Sequence, residues 1–64
     1  MMQVSLKAAR VNAGMSQKEA AKMIGVSNKT LCNWEKGVSY PSADKILNIC
    51  QTYKVSYDNI SWQS

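Results

Sequence analysis

Residues 17–36 read QKEAAKMIGVSNKTLCNWEK, and two helical periods separated by one corner are legible in them. Ser16 stands just before, its hydroxyl placed to accept from the N–H groups of a helix start, while Glu19 three residues on reaches back to complete a capping box. The helix predicted from Gln17 carries Ala20, Ala21, Met23 and Ile24 on an apolar face. It stops at Gly25, which takes the left-handed conformation at little steric cost. Ser27 then caps a new helix, and Val26 is placed to staple onto Leu31, so the chain re-enters a helix after only a turn. On this helix Val26, Leu31 and Trp34 face inward. Asn28, Lys29, Cys32, Asn33 and Lys36 fall three and four residues apart on the opposite face, which is polar and basic.

Outward from this stretch, Leu6, Ala9 and Ala13 mark a first helix from Val4 to Ala13, with Gly14 as its stop and Met15 turning into the core. Arg10 lies one turn beyond Leu6 on the inward side, where a cation needs a partner. The segment GVSYPS, residues 37–42, has the glycine, the proline and the lack of periodicity of a loop. Pro41 leads into a fourth helix, capped by Ser42 and starting near Ala43. It carries Ile46, Leu47, Ile49, Cys50 and Tyr53 on a broad apolar stripe, so Cys50 reads as a small core residue. Ser56 is placed to cap a last short helix through Ile60, with Val55 and Ile60 as its staple and Trp62 near the terminus.

The chain has 64 residues, room for a single domain over 1–64, and one this short buries only about 60% of its unfolded surface. Eight Lys or Arg against four Asp or Glu, with no His, give a net charge of +4 and attraction to polyanions. A charge of this size also suits a solvated surface. Cys32 and Cys50 have no histidine and no close cysteine spacing beside them, which points to reduced thiols in a cytoplasm and to no metal site. No apolar run approaches the roughly 20 residues of a membrane span, and the N-terminus lacks the long apolar core of a signal peptide. A soluble cytoplasmic protein is expected. Catalysis has no foothold: there is no cysteine with a base nearby, no paired carboxylates and no phosphate-cradling glycine loop. Neither an enzyme, nor a cofactor, nor a small-molecule substrate is expected.

Small Ala21 where the two central helices approach, the glycine corner, and apolar Leu31 and Trp34 fit a helix-turn-helix formed by helices two and three. Gln17, Ala21, Gly25, Leu31 and Trp34 are followed by Glu35, Gly37 and Pro41, with Arg10 upstream and VSYDNI at 55–60. In this pattern the chain resembles the phage-repressor and Cro family from about Leu6 to Ile60, and its end is similar to the family's closing VSxDxL. The resemblance implies an all-α, lambda-repressor-like DNA-binding bundle of five short helices. It also implies that Glu35, at the end of helix three, is the partner of Arg10, in a bridge that orients helix one against helix three more than it adds net stability. Ala9 and Ala20 are smaller than the leucine-like residues this family often carries, and Trp34 is the expected filler. The family usually has glycine where this chain has Lys54.

Within that motif the expected function is a sequence-specific transcriptional regulator, a repressor of bacterial or phage origin, bound as a homodimer to a palindromic operator in double-stranded DNA. Helix three would lie in the major groove, with Asn28, Lys29 and Asn33 at base edges: an asparagine amide matches adenine N6 and N7, and a lysine ammonium donates to guanine O6 or N7. Outside the motif, three polar residues on a helix face are ordinarily just solvated. Gln17 at a helix start, Lys36 and the loop residue Tyr40 are expected at phosphates. Cys32 is taken as an exposed thiol. Tyr57, Ile60 and Trp62 are expected to supply an apolar contact between two copies. The alternative is an antitoxin-type protein-interaction module with secondary DNA binding.

Overall fold

The computed structural model describes residues 3–62. Four α-helices follow one another: α1 (Leu6–Asn12), α2 (Gln17–Ile24), α3 (Asn28–Lys36) and α4 (Ala43–Tyr53). A 3-10 turn, Tyr57–Asn59, comes after them. Two two-residue strands, β1 (Val4–Ser5) and β2 (Ile60–Ser61), pair in parallel with Val4 opposite Ile60, joining the start of the described segment to its last residues.

The core is thin and depends on small residues. Ala9, Ala20 and Ala21 are buried where the helices meet, and without longer side chains the backbones approach closely around Leu31, Ile49 and Ile60, the largest fully buried side chains. Trp34 and Tyr53 complete this cluster, and Met15, Val26, Val55 and Trp62 pack half-buried against it.

The capping chemistry explains where α2 begins and ends. Ser16 Oγ accepts from the Glu19 N–H at 3.1 Å, and Glu19 Oε1 accepts from the Ser16 N–H at 3.0 Å. That bond to the backbone N–H, with the Ser16 hydroxyl second, holds the Glu19 carboxyl below its ordinary range. Gly25 closes the helix at φ 91° and its N–H returns to the Ala21 carbonyl.

The expected fifth helix is not there. Three residues cannot close an α-helical hydrogen bond, and the Ser56 hydroxyl makes no cap, so the chain makes a 3-10 turn and then extends. Extension lets Ile60 pair with Val4 while its side chain is 1% exposed, so Ile60 belongs to the core and is withdrawn from any surface contact. The same pairing takes Val4 and Ser5 out of the first helix. That helix starts at Leu6, with Ser5 Oγ accepting from the Ala8 N–H at 3.0 Å. At α4 the Ser42 hydroxyl donates to Asp44 Oδ1 at 2.6 Å and makes no bond to the backbone. Met23 and Leu47 are also corrected, at 65% and 64% exposed. Leu47 is two residues from the fully buried Ile49, about 200° around a helix of 3.6 residues per turn, so the buried stripe of α4 is narrower than its apolar composition.

Lys54 ends α4 at φ 56°, the one non-glycine residue at positive φ among the described residues. A side chain here costs about 1 kcal/mol relative to glycine. Lys54→Gly should therefore raise the unfolding free energy by about 1 kcal/mol, read as a higher urea midpoint at unchanged slope.

Candidate nucleic-acid interface

The outer face of α3 is presented by an inner face that cannot rotate. Leu31 is fully buried and Trp34 nearly so, three residues apart on one side of a nine-residue helix. The helix start is fixed twice, since Ser27 Oγ accepts from the Thr30 N–H at 3.1 Å and donates to Thr30 Oγ1 at 2.9 Å. Gly37, at φ 78°, closes the other end. Asn28, Lys29 and Lys36 are exposed, while Cys32 and Asn33 are half-buried between them. Tyr40 stands exposed in the following loop. Among the described residues none of the side chains of Asn28, Lys29, Asn33 or Lys36 takes part in a hydrogen bond within the protein.

Behind this face lies a polar centre. Arg10 Nε donates to Glu35 Oε2 at 2.7 Å and Nη2 to Oε1 at 3.3 Å, the two-pronged match of a guanidinium to a carboxylate. The two side chains are 9% and 5% exposed. Arg10 Nη1 donates to the Met15 carbonyl at 2.9 Å, so one side chain ties α1 to α3 and to the loop leading into α2. The hydrogen bond to Glu35 raises the Arg10 pKa further and, with that carboxylate's charge, outweighs the opposing cost of burial.

Gln17 joins the same centre, its Nε2 donating to Glu35 Oε1 at 3.1 Å. Sequence reasoning placed Gln17 at a phosphate and did not see this bond, which leaves the other amide N–H and the amide oxygen open. Ser16 and Glu19 consume each other's backbone donors, and the Ala20 N–H goes to the Ser16 carbonyl, so the Gln17 and Lys18 N–H groups at the start of α2 are left uncapped among the described residues. Beside the pair, the buried Tyr53 hydroxyl has no hydrogen-bond partner among the described residues. Burial, and then the Glu35 charge, push its pKa up to about 12.

An open cleft of about 490 Å³ is lined by Lys7, Arg10, Gln17, Cys32, Glu35 and Lys36. It brings Gln17 and Lys36 together beside the Arg10–Glu35 pair. Asn28 and Lys29 lie at the opposite end of α3, and Tyr40 does not line the cleft. Cys32, expected as an exposed thiol, is half-buried here, and Lys7 joins the lining because it precedes Arg10 by three residues and so shares its side of α1. Among the described residues no group of His, Cys, Asp or Glu is placed to hold a metal ion, and no helix is long and apolar enough to cross a membrane.

Two outcomes follow from the polar centre. Glu35→Ala strands a buried guanidinium and should cost about 3–5 kcal/mol of stability, read from the shift in thermal or urea unfolding. Tyr53 has a folded pKa of about 12 against an ordinary 10.0, so the folded state holds the phenol proton more tightly. Its contribution is complete below about pH 10 and is lost as pH rises through 12. Tyr53→Phe should remove that part of the alkaline decline. At pH 7 it should gain about 1 kcal/mol, because an unpaired buried hydroxyl is lost.

A family model described as Helix-turn-helix matches residues 6–60. The chain is 42% identical over 53 residues to the HTH-type transcriptional regulator ImmR of Bacillus subtilis, covering 83% of this chain and 42% of that protein. It is 35% identical over 60 residues to the antitoxin PezA of Streptococcus pneumoniae, covering 94% of this chain and 38% of that protein. The chain thus spans about two fifths of the length of the curated relatives it matches. No solved structure matches it significantly. With its glycine corner between two capped helices and a polar outer face on the second, the chain belongs to the XRE-type helix-turn-helix family of DNA-binding transcription regulators.

Proposed function

We propose that this protein binds operator DNA as a sequence-specific regulator, a repressor of the Cro kind, with α3 laid in the major groove. The observation that carries the reading is the outer face of α3. It presents an amide and an ammonium, Asn28 and Lys29, both exposed and with side chains free of hydrogen bonds among the described residues, on a helix held from behind by Leu31 and Trp34. Rigid placement matters because each bidentate base contact discriminates by only about 1–3 kcal/mol, and a side chain that must first abandon an internal partner forfeits much of that. Asn28, Lys29 and Asn33 are the base-reading residues of this proposal. Gln17, Lys36 and Tyr40 hold phosphates and so set the register of α3.

A single helix of nine residues reads too few base pairs for tight specific binding, so two copies on a roughly palindromic site are proposed, with half-sites about 34–36 Å apart. The contact between copies draws on Tyr57 and Trp62, whose rings stack at 5.5 Å between centroids. Trp62 Nε1 donates to the Tyr57 carbonyl at 3.1 Å, which fixes that pair near the surface.

A second reading is favoured by the similarity to the antitoxin PezA: the domain belongs to a regulator whose main ligand is another protein, with DNA contact secondary. Binding to random duplex does not separate the two readings. Under the first, a site selected from a random DNA pool binds at least a thousandfold more tightly than random duplex. Under the second that ratio collapses.

The mutants separate reading from gripping. Asn28→Ala and Lys29→Ala should each cost about 1–3 kcal/mol on the selected site, relax the preference at one or two base positions, and weaken random-duplex binding much less. Lys36→Ala should weaken both duplexes alike and lower the salt slope by about one. Titrations of each variant against the selected site, its single-base variants and random duplex across a salt series check this. A uniform loss for Asn28→Ala and Lys29→Ala on every sequence would remove α3 from base reading.

A further inference from the structure

The cleft at the meeting of α1, α2 and α3 has a charge balance that the base-reading face does not explain. Its lining holds three cations, Lys7, Arg10 and Lys36, against one carboxylate, Glu35. The buried pair cancels Arg10 against Glu35, and what remains is Lys7 from α1 and Lys36 from α3. Both are exposed, and neither has an ion-pair partner among the described residues. Gln17 from α2 shares the lining, held by Glu35 through one amide N–H and heading a helix whose first two backbone N–H groups have no partner among the described residues. A second cleft, of about 260 Å³ beside Tyr57 and Trp62, is lined by Asp58 and by no cation, so the two differ in charge.

Cations from two helices lining one open cleft, with amide donors from a third, suit a phosphodiester of a duplex backbone. Resting on the DNA-binding reading above, we propose that Lys7 is a phosphate-gripping residue, so that the DNA footprint extends from the helix-turn-helix onto α1. The grip then has two sides. Lys36 holds the backbone from the end of α3 and Lys7 from the start of α1, and the Arg10–Glu35 pair sets their spacing because it joins the helices that carry them. Lys7 positions the duplex and reads no base. The two lysines of α2, Lys18 and Lys22, do not line the cleft.

The test compares Lys7→Gln with Lys7→Arg and with Lys22→Gln, an equal loss of charge away from the cleft. Each is titrated with the selected operator and with random duplex between 50 and 200 mM salt. Lys7→Gln should weaken both duplexes by the same factor and lower the salt slope by about one, so that this fourfold rise in salt costs it about 3.5-fold less affinity than it costs the parent. Lys7→Arg should keep the parent slope, and Lys22→Gln should stay close to it. Operator binding by the parent, with Lys7→Gln indistinguishable from Lys22→Gln, overturns the proposal and leaves the DNA-binding reading standing. Failure of the parent to bind any duplex overturns both. Unfolding midpoints of the variants, expected to match the parent because Lys7 is exposed, keep a folding defect from imitating a lost contact.

Discussion

The bidentate contact between Arg10 and Glu35 is the constraint on which the other parts depend. It joins α1 to the last turn of α3, reaches the loop before α2 through the Met15 carbonyl, and reaches α2 itself through Gln17. A larger protein would fix such angles with apolar bulk. Here alanines sit buried where the helices meet, and among the described residues only Leu31, Ile49 and Ile60 are large and fully buried. A core of that size tolerates small rotations of one helix against another, whereas a guanidinium with three of its donors engaged does not. Net stabilisation is not the point, since two charges taken from water recover little more than they lose. Orientation is.

Orientation matters because the candidate site is assembled from separate helices. The polar face of α3 supplies Asn28, Lys29, Asn33 and Lys36, α2 supplies Gln17, and α1 supplies Lys7. In the proposed DNA-binding role these positions meet base edges and phosphates only at fixed separations, as a displacement of an ångström breaks a hydrogen bond. The buried pair occupies the place where the three elements converge. The pairing of β1 with β2 serves the same end from the far side, since it holds Leu6 and the start of α1 in place.

What was legible in the sequence was local. Ser16 and Glu19, three residues apart, announce the start of α2, Gly25 its end and Ser27 the next start, because capping is decided within a turn of chain. The helix-turn-helix, and with it the exposed positions of Asn28 and Lys29, could therefore be read directly. What was not legible depended on distant partners. Val4 has strand character only because Ile60, near the other end of the chain, comes to lie beside it. Ser42 and Ser56 look like Ser16, yet one prefers Asp44 and the other precedes a segment too short to be a helix. The bond from Gln17 to Glu35 and the unpaired hydroxyl of Tyr53 follow from where the buried pair sits, which no periodicity reports. Lys54 shows a further case: where the family usually has glycine, a left-handed lysine ends α4 and accepts the strain that glycine avoids.

The most direct test of this account is a double-mutant cycle on the central pair: Arg10→Met, Glu35→Leu and the two together, followed by urea unfolding in sodium sulfate so that the single variants stay folded. If the pair is a mutual constraint, each single change leaves a buried charge without its counterpart and is strongly destabilising. The double variant then recovers much of the loss and falls well short of the sum of the two. Additive losses, with the double variant as unstable as the singles combined, would mean that Arg10 and Glu35 act independently and that α3 is held by its apolar face alone.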